Sequence, residues 1–202
     1  EVLKDVDLIV AENRERALKL LSHLSIRKPI ITINSYNEER KAKGIAGQIS
    51  SGKSCALISG AGTPCISDPG GLVVMACYEA GVDVRAVPGP SAAAGAISIS
   101  GLFVDRFLFY GFLPQRQGKK RKVLREFSAF PYPTVFYESP RKLLETLRCM
   151  GEELGNRPAV VIKEMTKIYE RVMRGTIDEL IAQLSDEDPK GEYLVIVDGA
   201  GK

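Results

Sequence analysis

The stretch Cys55-Ala56-Leu57-Ile58-Ser59-Gly60-Ala61-Gly62-Thr63-Pro64-Cys65-Ile66-Ser67-Asp68-Pro69-Gly70-Gly71 decides the reading of the fold. It opens with a short apolar run suited to a strand, Cys55–Ser59, buried on both faces. The rest is a loop rich in glycine and proline. Leu72–Ala80 then reads as a helix, closed by Gly81 as a C-cap. Strand, long loop and helix make the unit of an open α/β sheet, whose ligands bind beyond the carboxyl ends of the strands. Glycines let a backbone approach a ligand closely, and prolines keep the loop stiff, so binding costs little order. Thr63, Ser67 and Asp68 add polar groups. The loop lacks the lysine of a GxxxxGK[ST] phosphate loop, which argues against nucleoside triphosphate hydrolysis. The plainer alternative is a rigid connection packed under a second domain.

Outward from this loop the same alternation continues. On the N-terminal side, Val6–Ala11 suits a strand, Arg14–Leu24 a helix, Pro29–Ile33 a short strand and Glu38–Ser50 a helix. On the C-terminal side, Val82–Val87 is expected to be a strand, stopped by Pro88-Gly89-Pro90. Ser91 can then cap a small-residue helix, Ala92–Ile99. Such repeats imply a parallel sheet covered on both faces. The Pro88–Ala94 segment joins a stiff turn to a helix N-terminus, where backbone N–H groups can meet an anion or an adenine edge, or can serve close packing alone. Neither loop is a GxGxxG fingerprint, against the usual dinucleotide fold.

The second half has another texture. Arg106–Leu113 is aromatic and strand-like, and Lys119–Phe130 is a basic helix. Thr134–Tyr137, Ala159–Lys163, Tyr169–Arg174 and Tyr193–Val197 read as strands. Helices follow Pro140 and run through Ile177–Leu184. The expected domains are 1–106 and 107–202. Glu138 and Glu164 stand where strands stop; each can serve acid–base chemistry, or cap a helix and pair with nearby Arg and Lys. Arg116, Lys119, Lys120, Arg121, Lys122 and Arg125 form a basic cluster without an intervening acid, suited to phosphates or to a solvated helix face.

Composition narrows the classes. The 202 residues are 45% hydrophobic and 26% charged with net charge +3, an ordinary globular balance. No run reaches the about 18 apolar residues of a membrane span. The single histidine, His23, lies in an amphipathic helix and reads as structural. The four cysteines, Cys55, Cys65, Cys77 and Cys149, form no CxxC pair, so no metal site is expected. Each sits among apolar or small residues, as free thiols of a reducing cytoplasm do.

Taken in order, several segments resemble a known family. They are Gly62-Thr63-Pro64 through Ser67-Asp68-Pro69-Gly70, Pro88-Gly89-Pro90-Ser91-Ala92, Gly111-Phe112-Leu113-Pro114 and Phe136-Tyr137-Glu138-Ser139-Pro140-Arg141. Further along come Lys163-Glu164-Met165-Thr166-Lys167, with Glu170 and Arg174-Gly175-Thr176, and then Lys190-Gly191-Glu192. The series, across nearly the whole chain, resembles the bacterial small-subunit ribosomal RNA 2′-O-ribose methyltransferases of the tetrapyrrole methylase superfamily.

The resemblance implies two α/β domains, a parallel sheet in the first and a mixed sheet in the second, with S-adenosylmethionine in a cleft between them. It assigns cofactor contact to Gly62, Thr63, Ile66, Ser67, Ser91, Ala92, Tyr137, Thr166 and Glu192. It implies a cytoplasmic homodimer that acts on a cytidine 2′-hydroxyl, in ribosomal RNA or in the small ribosomal subunit, with no metal. Glu138 is the candidate base, and Lys163 the candidate to steady developing charge or a phosphate. The basic cluster at 116–125 would contact RNA phosphates.

Three departures stand out. Gly60 occupies the place where the family has Asp before Ala-Gly-Thr-Pro. Glu12-Asn13-Arg14-Glu15 stands for Glu-Asp-Thr-Arg, so Glu12 alone matches. The family's first strand and its Thr-Pro-Ile-Gly-Asn turn have no counterpart before Glu1, so the first domain is expected to be trimmed or the activity reduced. Two rivals remain: a tetrapyrrole carbon methyltransferase, and a module that binds cofactor or RNA without catalysis.

Overall fold

The computed structural model describes residues 1–102 and 104–201. Two compact units are present, Glu1–Ser91 and the residues from Ala92 onward.

In the first unit a short helix, α1 (Val2–Asp5), precedes β1 (Leu8–Ala11), α2 (Arg14–His23), β2 (Ile30–Thr32), α3 (Glu38–Ser50), β3 (Cys55–Ile58) and α4 (Gly71–Glu79). The three strands pair in parallel in the order β2-β1-β3. Every residue of β1 is buried, because the central strand of a doubly covered sheet has no wet face. Leu8 and Val10 pack with Ala42, Ile45 and Ala46 of α3 and with Val73, Ala76 and Cys77 of α4. Ile9 and Ala11 face the other way, onto Ala17 and Leu21 of α2. The start of α2 is set by Asn13, whose side-chain oxygen accepts from Arg16 N–H at 3.0 Å.

Residues 82–87, expected as a strand, form none. Val82 and Val84 dock on the core of α3 and α4, while Val87 is exposed. Apolar alternation is enough to dock a segment, but a strand also needs a neighbour for its ladder. Among the described residues none pairs with it.

The second unit begins with α5 (Ala92–Ile99), earlier than the expected division at 106/107. It continues through β4 (Leu108–Phe112), α6 (Gln117–Glu126), β5 (Thr134–Glu138), a 3₁₀ turn (Pro140–Lys142), α7 (Leu143–Leu154), β6 (Pro158–Lys163), β7 (Arg171–Thr176), α8 (Ile177–Leu184) and β8 (Tyr193–Val197). The sheet is mixed, in the order β4-β5-β8-β6-β7, with only β4 and β5 parallel. One face packs Phe136, Val161 and Val195 under Leu124 of α6, Leu143 and Leu147 of α7 and Leu180 of α8. The other packs Val135, Val160, Ile162, Leu194 and Ile196 under Ala93 and Ala96 of α5. That contact ties α5 to this unit and moves the division to residue 91. Thr176 and Glu179 close a reciprocal capping box at the start of α8.

Candidate functional site

In the first unit the loop after β3 is braced from within. Ser59 Oγ donates to the carbonyls of Ala61 (3.1 Å) and Gly62 (3.0 Å). Thr63 Oγ1 donates to the Pro90 carbonyl at 3.0 Å, so the loop and the Pro-Gly-Pro turn are tied together. Gly62 has φ +70°, and a Cβ there would stand 3.4 Å from that same carbonyl. Cys65 and Ser67 also take left-handed φ, at 67° and 62°. Such backbone persists in non-glycine residues only where surroundings over-determine it, and it gathers at functional sites. Gly62, Thr63, Ile66 and Ser67 all face solvent.

The brace at the far end of the loop is Glu38, which sequence reasoning placed only as the start of a helix. Its buried carboxylate accepts from the N–H groups of Gly70 (2.9 Å), Leu72 (2.8 Å) and Val73 (3.4 Å). It therefore caps α4 from a different helix and meets the positive end of that helix dipole. Gly70 (φ +138°) has no room for a side chain, since a Cβ would lie 2.7 Å from Cys65 Sγ. Asp68 is half-buried; burial, and then the charge of Glu12, push its carboxyl up, against a hydrogen bond from Ser59. At Gly60 an added Cβ would lie 2.8 Å from Arg16 Nη1 and 3.6 Å from Glu12 Oε2. The missing aspartate's place is thus bordered by another carboxylate and filled by a guanidinium. Burial pushes the Cys55 thiol up to about 11, which suits a structural thiol.

In the second unit, Tyr137 and Glu138 end β5 on opposite faces of the sheet. Tyr137 is half-buried, edge-on to Phe109 (5.0 Å between centroids) and Phe112 (5.5 Å). Glu138 is 7% exposed and turned under α7. Its Oε1 accepts from Ser139 N–H (2.7 Å) and Ser139 Oγ (3.2 Å), and its Oε2 from Thr146 Oγ1 (2.6 Å). The expectation that Glu138 is the general base is corrected here: the carboxylate points into a helix-covered face and anchors the turn that begins at Ser139. Lys163, in the same cross-strand row by way of Tyr193, stays half-buried with Nζ 5.9 Å from the Tyr193 ring centroid.

The end of β6 is held by charge. Glu164 N–H donates to the Glu192 carbonyl (2.8 Å), and Glu164 Oε1 accepts from Glu192 N–H (2.7 Å) and Lys167 Nζ (2.9 Å). Lys167 also meets Glu192 Oε2 at 3.0 Å. The Lys167 ammonium, then the Glu192 N–H, hold the Glu164 carboxyl below its ordinary value. Thr166 (φ +66°) donates its N–H to the Glu170 carboxylate. This knot brings Thr166 and Glu192, both exposed, to one end of the sheet.

The basic cluster divides in two. Among the described residues Arg116, Lys119 and Lys122 are exposed without an ion-pair partner. Arg121 pairs with Glu152 and Glu153, and Arg125 with Glu153 (2.6 Å). Lys120 corrects the expectation of a phosphate contact: it is 1% exposed, with Nζ 2.9 Å from Thr146 Oγ1 and 3.2 Å from Glu145 Oε1. It falls one turn before buried Leu124, on the inward face of α6.

Residues 1–181 match the family model described as Tetrapyrrole (Corrin/Porphyrin) Methylases. The chain belongs to the tetrapyrrole methylase family. Among tetrapyrrole methylases it is 39% identical to the ribosomal RNA small subunit methyltransferase I of Thermotoga maritima, over 98% of this chain and 89% of that protein. Its similarity to the protein of the same name from Xylella fastidiosa is 41%, over 98% and 74% of the two chains. Among solved structures, the methyltransferase CobJ superposes with a TM-score of 0.66 at 16% identity, over 98% of this chain and 85% of that one. A conserved hypothetical protein of Aeropyrum pernix K1 superposes with 0.69 at 18%, over 100% and 78%. The two structures show the shared fold, and the relatives mark this tetrapyrrole methylase as a methyltransferase.

Proposed function

We propose that this chain transfers the methyl group of S-adenosylmethionine to the 2′-hydroxyl of a cytidine in small-subunit ribosomal RNA. It acts in the cytoplasm as a homodimer, on ribosomal RNA or on the small ribosomal subunit. The observation that carries the reading is 39% identity, over 98% of the chain, to a ribosomal RNA small subunit methyltransferase.

The residues fit the donor. An adenosine has apolar faces and polar edges. The loop after β3 offers outward backbone at Gly62, the hydroxyls of Thr63 and Ser67, and Ile66 at 42% exposure. Ser91 extends this set in the first unit; Ala92, Tyr137, Thr166 and Glu192 supply contacts from the second. S-adenosylmethionine, when bound, supplies a methyl group on a sulfonium centre, open to attack in line with the carbon–sulfur bond. The chain contributes position and exclusion of water, which supply most of the acceleration for such a transfer. As the ribose oxygen bonds to the methyl carbon and the carbon–sulfur bond breaks, S-adenosylhomocysteine leaves and the hydroxyl proton is lost to solvent; Lys163 steadies charge developing on that oxygen or on a neighbouring phosphate. Arg116, Lys119, Lys122 and Arg125 meet the RNA backbone, with Arg121 sharing its charge with Glu152 and Glu153.

The test is transfer of radiolabelled methyl from S-adenosylmethionine to small subunits lacking native 2′-O-methylation, followed by nucleoside analysis. Label in 2′-O-methylcytidine is expected. Label on a base, or on uroporphyrinogen in place of RNA, would overturn the reading. In the same assay, changing Lys119 and Lys122 to Ala should flatten the salt dependence of RNA binding by about two logarithmic units of slope. An unaltered slope would return those lysines to a solvated face.

A further inference from the structure

We propose that Lys120 is a positioning residue for methyl transfer, acting through Thr146 and Glu138 to hold the end of β5 and with it Tyr137. The inference rests on the methyl-transfer reading above. The geometry is a chain of three buried side chains. Lys120 Nζ donates to Thr146 Oγ1 (2.9 Å), and that hydroxyl donates to Glu138 Oε2 (2.6 Å). Glu138 Oε1 in turn accepts from Ser139 N–H (2.7 Å), at the first residue after the strand. Lys120, Thr146 and Glu138 are 1%, 0% and 7% exposed. The hydroxyl both accepts and donates, so its orientation is fixed, and it puts the ammonium one atom away from the buried carboxylate.

A buried lysine on an apolar helix face is costly unless paired, and replacing such a pair by apolar residues is often neutral for stability. Stability alone therefore does not account for a lysine at this place. What the chain of bonds does fix is the join between the last residue of β5 and the turn at Ser139–Pro140. Tyr137 is the strand residue next to that join. Its ring packs on the face that α5 covers, and its backbone is paired with Leu194 of β8 and Phe112 of β4, so the bonds of Glu138 hold the strand just where that pairing ends.

Three variants test this: Lys120→Met, which removes the charge; Thr146→Val, which removes only the hydroxyl; and the two combined. Amide hydrogen exchange over residues 134–141 reads the positioning directly. Exchange should quicken at least tenfold in each single variant and no further in the double, as for members of one chain. Cofactor affinity by calorimetry and kcat should each fall about tenfold, while KM for the small subunit and the salt slope of RNA binding stay unchanged. Lys120→Met combined with Glu138→Gln, which removes both buried charges and leaves only the half-exposed Glu145, should restore the melting temperature lost in Lys120→Met.

Additive effects of Lys120→Met and Thr146→Val would overturn the proposal, as would unaltered exchange. A lower melting temperature with unchanged kcat and cofactor affinity would reduce Lys120 to a structural residue. A flattened salt slope would make it a phosphate contact instead. If the unaltered protein transfers no methyl group to RNA, the methylation reading fails by itself, and exchange and cofactor affinity still decide the role of Lys120.

Discussion

The two units prepare their strand ends by opposite means. In the first, the loop after β3 is shaped by backbone: left-handed residues, prolines, and hydroxyls that answer carbonyls of the loop itself and of the Pro-Gly-Pro turn. A single buried carboxylate, Glu38, closes it. In the second, the ends of β5 and β6 are shaped by charge: Lys120 through Thr146 to Glu138, and Glu164 with Lys167 and Glu192. The first site leans on backbone and few charges, whereas the second is built from paired charges and is tuned more widely by pH and salt.

The sharpest way to break this contrast is at Glu38. Glu38→Ala leaves three N–H groups at the start of α4 without their acceptor, and should cost about 3 kcal/mol of stability. Denaturant unfolding checks it; a loss under about 1 kcal/mol would mean that water replaces the carboxylate and the loop is held by backbone alone.

A milder probe acts on the second unit. The Glu164 carboxyl is held below its ordinary value, foremost by Lys167 and then by the Glu192 N–H. Its folded value is depressed, so its contribution is complete above the unfolded value of about 4.3 and is lost as pH falls through the lowered folded value. Amide exchange at Glu192 should therefore quicken with acid below about pH 4.3 beyond its intrinsic trend, and Glu164→Gln should remove that step. A step that survives the substitution would point to another group.

The smallest effect belongs to Asp68. Burial, then Glu12, raise its carboxyl, the opposite sign, so ionised Asp68 works against the fold as pH rises from about 3.9 through its raised value. Asp68→Asn should raise the melting temperature slightly at neutral pH and leave it unchanged below about pH 3.9. A gain that persists in acid would trace to packing, not charge.

The same contrast governs what the chain disclosed in one dimension. The glycine–proline loop, the alternation of strands and helices, and the placement of α3, α5 and β8 are local properties, legible as propensity and period. Glu38 was not, because its partners lie 32 to 35 residues away on another element. Lys120 looked like its neighbours Lys119 and Lys122, and only the facing Thr146 and Glu138 distinguish it. Glu138 could be read as an acid–base group or as a cap, and only its contacts with Ser139 and Thr146 separate the two. Residues 82–87 failed in the other direction: the local pattern was right for a strand, but a strand is a property of two segments. The boundary near 106 missed because small residues on α5 gave no hint of which sheet they cover.

The order of the second sheet carries one more consequence, for the making of the protein. β8 comes after its partner strands in sequence yet lies between β5 and β6. On a translating ribosome, β4 with β5, and β6 with β7, must wait as two separate ribbons with open edges until residues 193–197 emerge and zip them together. The second unit is therefore expected to complete its folding only once β8 has emerged, in one step, with β8 as the closing strand.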